Sequence, residues 1–187
     1  MLLVKLPDTE RTWNKLTHFA MYDVRDIANF TLDHADARRV EITNLALQKL
    51  LYFAHGWFFS IYEAPLIKNK FEAWQYGPVQ RVLYEQFKVF KDRPIRNVRA
   101  TYIDPSNGEP VYREPKISLE HADVIRAVLQ KYEKFTAGQL VSKSHVEDSP
   151  WEYVWQQAED AVYPGMKIPD SLIVDHFKRL SPILTLH

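Results

Sequence analysis

Thr43-Asn44-Leu45-Ala46-Leu47-Gln48-Lys49-Leu50-Leu51-Tyr52-Phe53-Ala54-His55-Gly56-Trp57-Phe58-Phe59-Ser60-Ile61-Tyr62 is the stretch whose reading decides the fold. Leu47, Leu50, Leu51, Ala54, Phe58 and Ile61 fall on one stripe at helical spacing, and Leu45, Phe53 and Trp57 widen it. Gln48, Tyr52, His55 and Phe59 line another side, and Lys49 is the only residue of the stretch with a formal charge. A helix that is apolar nearly all round belongs inside a bundle. Asn44, Gln48, Lys49 and His55 must then find partners or a cleft, because an unpaired buried polar group costs about 1–3 kcal/mol.

On the N-terminal side, residues 22–37 read as a first helix. Asp23 is its N-cap, and Val24, Ile27, Ala28, Thr31 and Ala35 share one face. Residues 1–21 are read as an N-terminal extension. On the C-terminal side, Ala64-Pro65 breaks the central helix, and residues 71–76 alternate in the manner of a short strand. Gly77-Pro78 then reads as a turn with a proline at the first position of the next helix, whose apolar face holds Val79, Val82, Leu83, Phe87 and Phe90. Alternation at Val98, Ala100 and Tyr102, followed by Asp104-Pro105-Ser106-Asn107-Gly108, predicts a hairpin across residues 97–114.

Three further helices carry their own start signals. Ser118 caps one over residues 119–134. Thr136 and Gln139 form a capping box for a short helix ending near His145. Ser149-Pro150-Trp151-Glu152 opens another that runs to about residue 159. A last helix is expected over residues 170–180. The fold class is therefore mainly α: a single compact multi-helix domain around the buried central helix at 43–62. A small β-element accompanies it, the strand at 71–76 plus the hairpin at 97–114.

Composition bounds the function. The chain has 187 residues, and its 24 basic and 24 acidic side chains balance to zero. Area scaling for 22.1 kDa predicts about 70% of the unfolded surface buried, enough for one core. The neutral balance, with a pI near 7.1, argues against a generally cationic nucleic-acid binder. There is no cysteine, hence no disulfide, no thiolate nucleophile and no zinc site on Cys ligands. Met1-Leu2-Leu3-Val4 is too short for a signal-peptide core, and no apolar run is long enough to span a membrane. The expected address is the cytoplasm.

Chemistry-bearing motifs are scarce. No phosphate-cradling glycine loop and no nucleophile elbow occurs, and none of the seven histidines lies three or four residues from another. No catalytic residue, metal ligand or cofactor is assigned. Lys88, Lys91, Arg93, Arg96 and Arg99 form a basic stretch that could face phosphates, or could be a solvated helix end. Residues 143–160 carry an acidic counterpart with Glu147, Asp148, Glu152, Glu159 and Asp160. Trp74, Tyr76, Gly77 and Pro78 combine aromatics with a rigid turn, which suits either a protein interface or a cap over the core.

Three ordered blocks resemble one family. Residues 47–57, Leu-Gln-Lys-Leu-Leu-Tyr-Phe-Ala-His-Gly-Trp, look like the "LQKLLYYAQGW" segment of the Panacea antitoxin domain, found in SocA-like antitoxins and phage-associated proteins. Residues 71–79, Phe-Glu-Ala-Trp-Gln-Tyr-Gly-Pro-Val, are similar to its "EAW-x-YGPV" block. Residues 139–145, followed by Ser149-Pro150-Trp151, resemble its "eLs-x-x-TH … PW" element, with Ser144 where threonine is usual. The resemblance covers residues 22–180, with Leu47, Leu50, Ala73, Val79, His145, Pro150 and Trp151 as the structural members of its motifs.

The resemblance implies an antitoxin of a bacterial or phage-encoded toxin–antitoxin pair, not an enzyme. Its partner would be a cognate protein toxin, bound directly, and in one branch of the family the antitoxin delivers the toxin to a host protease. Gln48, Lys49, Tyr52, Trp74, Tyr76, Gly77 and Pro78 would be the partner-binding set, the first three contacting the partner or holding the aromatic lip from below. Lys49 is expected to pair with a carboxylate or a carbonyl, with Glu72 as the candidate. Two alternatives stand beside this reading: a nucleic-acid-binding regulator using residues 88–99, and an unrecognised enzyme in which Lys49, His55 and His145 converge. Neither the identity of the toxin nor the oligomeric state follows from the chain.

Overall fold

Thr43 caps the central helix as its position requires: its hydroxyl accepts from the Ala46 amide, and α2 runs from Asn44–Tyr62. The computed structural model describes residues 21–157 and 165–180. Fourteen of the nineteen α2 residues are buried, so neighbouring elements cover it on nearly every side. Those elements are α1 (Val24–Arg38), α3 (Arg81–Phe87), α4 (Leu119–Tyr132), α5 (Ala137–Ser144) and α7 (Asp170–Arg179), together with a short hairpin. A further helix, α6 (Pro150–Gln156), packs against that hairpin and α7. Among the described residues the protein is mainly helical, with two small antiparallel hairpins.

Aromatic packing fills the space around α2. Phe53 stacks on Tyr132 of α4 with ring centroids 4.2 Å apart, and the Trp57 indole donates to the Tyr132 hydroxyl at 3.1 Å. Phe177 of α7 meets Tyr52 and Trp57 edge-on at 5.6 and 5.3 Å, geometries that suit the ring quadrupoles. Gly56 lets α7 come this close, because a Cβ there would lie 2.2 Å from the Phe177 ring.

The start signals read from the chain are met by hydrogen bonds. The Asp23 carboxylate accepts from the Arg25 amide, Ser118 from His121, and Ser149 from Glu152. Thr136 and Gln139 complete a reciprocal capping box. The inward positions of α4, namely Ala122, Ile125, Val128, Leu129 and Tyr132, are all buried. Residues 1–20, 158–164 and 181–187 lie outside the described residues, and with them most of the N-terminal extension and the expected end of α6.

The region after α2 differs from expectation. The strand at 71–76 is one arm of a tight hairpin: β1 (Glu72–Trp74) pairs with β2 (Gly77–Val79), with Ala73 opposite Pro78 and only Gln75 and Tyr76 in the turn. Pro78 is therefore a strand residue, and α3 begins three residues later, after Gln80. Val79 belongs to the strand rather than the helix, and Val82 is exposed. Proline is tolerated in β2 because this strand has only one neighbour and needs no amide toward the other side. The outer side of β1 is occupied by residues 166–168: Ala73 donates to the Met166 carbonyl and Ile168 to that of Phe71, both at 2.8 Å. The second hairpin exists where predicted but is shorter, with β3 (Tyr102–Ile103) and β4 (Pro110–Val111) holding two residues each.

Candidate functional site

The three motif blocks, separated by up to a hundred residues, meet around the first hairpin. From the first block, the Lys49 ammonium reaches out of α2 and donates to the Pro78 carbonyl at 2.8 Å. One residue earlier, the Gln48 side-chain oxygen accepts from the Gln80 amide at 2.8 Å, while its nitrogen donates to Asn44. From the third block, the Trp151 indole donates to the Trp74 carbonyl at 2.7 Å. His145 lies flat on Trp151 with centroids 3.6 Å apart, and Trp155 stacks beyond it at 5.2 Å. Leu47 and Leu50 sit in the core beneath, and Pro150 occupies the first turn of α6.

Gly77 is the meeting point. Its φ of +94° is a left-handed conformation that favours glycine. There is no space for a side chain either. A Cβ would stand 2.7 Å from Ser144 Oγ, 2.9 Å from Lys49 Nζ and 3.0 Å from His145 Nε2. Those three polar atoms therefore converge on one point under the hairpin. Ser144 was visible in the chain only as an unusual residue before His145, and its place here could not be read from spacing.

Burial sets the electrostatics. Lys49 is fully buried, and loss of water lowers its pKa from 10.5 to about 7. The His145 ring is pushed below its ordinary value, first by burial and then by the Lys49 charge. The Tyr52 hydroxyl is raised well above its usual range by burial and has no hydrogen-bond partner among the described residues. His55 is elsewhere: its Nδ1 accepts from the Ile67 amide at 3.2 Å, and its ring packs on Phe71 and Phe59. Six positions along a helix turn it about 240° away from Lys49. The expected convergence of Lys49, His55 and His145 is thus corrected to Lys49, His145 and Ser144.

The expected Glu72 partnership is also corrected. Glu72 accepts from the Trp74 indole at 2.9 Å, and Lys49 has a carbonyl instead. The Trp74 ring meets Tyr84 edge-on at 4.7 Å and is partly exposed. Tyr76, at the turn, is 60% exposed, whereas Gly77 and Pro78 are buried. Gln48, Lys49 and Tyr52 are buried as well: the first two bond to Gln80 and Pro78 at the hairpin, whereas Tyr52 packs edge-on against Phe71 and Phe177.

The basic stretch is largely engaged within the molecule. Lys88 pairs with Glu85, Arg96 with Glu41, and Arg99 with both Asp33 and Asp36. Lys91 and Arg93 are exposed. No group of three or more His, Asp or Glu side chains comes together to hold a metal among the described residues. No helix among them is long and apolar enough to cross a membrane.

The model of the SocA-like antitoxins, the Panacea domain, matches residues 47–152, which take in all three blocks. Antitoxin SocA of Caulobacter vibrioides (strain NA1000 / CB15N) is 38% identical over 156 residues, covering 83% of this chain and 82% of that protein. No solved structure matches the chain. The blocks that match the family are the ones the fold knots together around Gly77, and the chain belongs to the SocA-like antitoxin family built on the Panacea domain.

Proposed function

We propose that this protein is the antitoxin of a bacterial or phage-encoded toxin–antitoxin pair and neutralises its cognate protein toxin by direct, stoichiometric binding rather than by catalysis. The observation that carries this reading is the first hairpin. An exposed tyrosine and a partly exposed tryptophan are presented by a two-residue turn whose base is tied to α2 and α6. Aromatics held rigid before binding lose little conformational entropy on association, which is what interface anchors require. Trp74 and Tyr76 contact the toxin. Gly77, Pro78, Gln48, Lys49 and Tyr52 hold the lip in place. Membership of the antitoxin family supports the role, and the relative bears the name antitoxin.

Co-expression with the protein encoded next to this chain tests the proposal. The wild-type chain should rescue growth. Trp74→Ala and Tyr76→Ala should each weaken binding by more than about tenfold, the scale of a truncated anchor, with unchanged far-ultraviolet circular dichroism. Undiminished rescue by both variants refutes the lip. The half-life of the toxin separates two modes of neutralisation: occlusion leaves it stable, whereas delivery to a host protease shortens it only when the antitoxin is present.

A further inference from the structure

A second feature adjoins the lip through Ser144, whose hydroxyl sits under Gly77 and whose residue also lines a cavity of about 200 Å³ between α2, α4, α5 and α7. The cavity's wall is aromatic, with Phe53 stacked on Tyr132 and with Phe135 nearby. Its mouth carries Val146 and Leu180, which are 41% and 37% exposed although both are large and apolar. Lys131 and Lys143 also line it, the Lys143 ammonium standing 4.2 Å over the Phe135 ring. No acidic side chain lines it among the described residues. Tyr52, which lines it, is buried, and its hydroxyl has no hydrogen-bond partner among the described residues.

Size, polarity and charge together select the occupant. An apolar cavity of about 150 Å³ accepts a benzene ring, so one phenylalanine or leucine side chain fits here. Two lysines beside the mouth suit carboxylates that flank such a side chain. We propose that this cavity seats an apolar anchor residue of the toxin, flanked by acidic residues, so that the toxin engages both the aromatic lip and the lysine-rimmed cavity. The inference rests on the antitoxin reading for the identity of the partner, but its recognition chemistry stands on the cavity alone.

The test has two arms. In the first, the blocked peptide acetyl-Asp-Glu-Phe-Glu-Asp-amide is titrated into the full chain while the methyl resonances of Val146 and Leu180 are followed by NMR. Those resonances should shift. Binding should weaken about tenfold when the four acids are replaced by their amides, in keeping with two exposed ion pairs, and should vanish when phenylalanine becomes serine. Val146→Trp, which closes the mouth, should abolish the Leu180 shift while thermal melting stays cooperative. Equal binding of the acidic and amide peptides, or no shift at either methyl, overturns the proposed chemistry. So does binding of 3-phenylpropionate as tight as that of the peptide, since that marks a small-molecule site.

The second arm is growth rescue by a Lys131→Glu/Lys143→Glu double variant. Rescue should fall while melting and helicity match the wild type. Full rescue overturns the cavity as the toxin's seat and leaves the antitoxin reading intact. Failure of the wild-type chain to rescue at all instead overturns the antitoxin reading, and the peptide arm still decides the cavity's preference.

Discussion

Lys49→Met is the perturbation that tests most of this account at once. Methionine has nearly the length of the lysine stem and can fill the same channel, but it carries no charge. The ammonium of Lys49 is buried with no carboxylate partner among the described residues, and its pKa falls from 10.5 to about 7. Above pH 10.5 the side chain is neutral in both folded and unfolded chains and imposes no penalty. Between 10.5 and about 7 the unfolded chain holds a proton that the folded one lacks, so stability falls as pH falls. Below about 7 the penalty is complete.

One proton corresponds to about 1.36 kcal/mol per pH unit. Half-titration near pH 7 reduces the full two-unit value to about 2 kcal/mol between pH 7 and 9. For a chain of this length that amounts to roughly 4–8 °C in melting temperature. Replacing the lysine removes this slope. It also strips the Pro78 carbonyl of its donor, a loss of about 1–3 kcal/mol that the relieved desolvation offsets at neutral pH. The variant should therefore melt cooperatively at pH 7, close to the wild type. Urea unfolding of both proteins at pH 7 and pH 9, followed by circular dichroism, isolates the effect, because other titrating groups are common to both. Wild type should gain about 2 kcal/mol more than the variant on going to pH 9. Parallel pH dependence in the two proteins would refute a neutralised, buried Lys49.

Two other substitutions probe the supports of the site. Gly77→Ala meets both a left-handed backbone and three polar atoms within about 3 Å, so it should destabilise by more than 1 kcal/mol in urea unfolding. A neutral result would mean that the hairpin relaxes away from Ser144 and Lys49. Asp23→Ala removes the cap of α1 and should cost about 1 kcal/mol, rising to about 2 in the tightest cases. Burial alone raises the Asp23 pKa, but hydrogen bonds from Arg25 and Lys68 outweigh that and hold it at about 2. Its stabilisation is therefore complete above pH 3.8 and lost as pH falls through about 2, and the variant should lack that acid sensitivity.

Whether a feature was legible in the chain depended on how far apart its determinants lie. The caps at Asp23, Ser118, Thr136 and Ser149 each need only a side chain and an amide two or three residues on, and all four form. The buried faces of α2 and α4 follow from a periodicity contained in the helix itself. Gly77-Pro78 was misread because a proline after a turn suits a first helical position equally well. Its strand pairing depends on Ala73 and on the cover that residues 166–168 give to the other side of β1, about ninety residues away.

The site divides in the same way. That Lys49 must find a partner was evident from its apolar helix, and a carbonyl was one of the two partners expected. Which group answers was a tertiary matter, because Glu72 is taken by the Trp74 indole two residues away and the Pro78 carbonyl faces α2. The basic stretch at residues 88–99 looked continuous on paper, but α1 and the loop before α2 supply carboxylates for Arg99 and Arg96. Sequence alone determined a mainly helical protein with a buried central helix, its capped elements and its family blocks, because local hydrogen bonding and helical periodicity set these. Only tertiary structure decided that the three blocks close on Gly77, that Tyr52 lies buried beside a cavity, and that the buried Lys49 donates to a backbone carbonyl. Those outcomes turn on which distant atoms share a few ångströms, and no spacing along the chain records that.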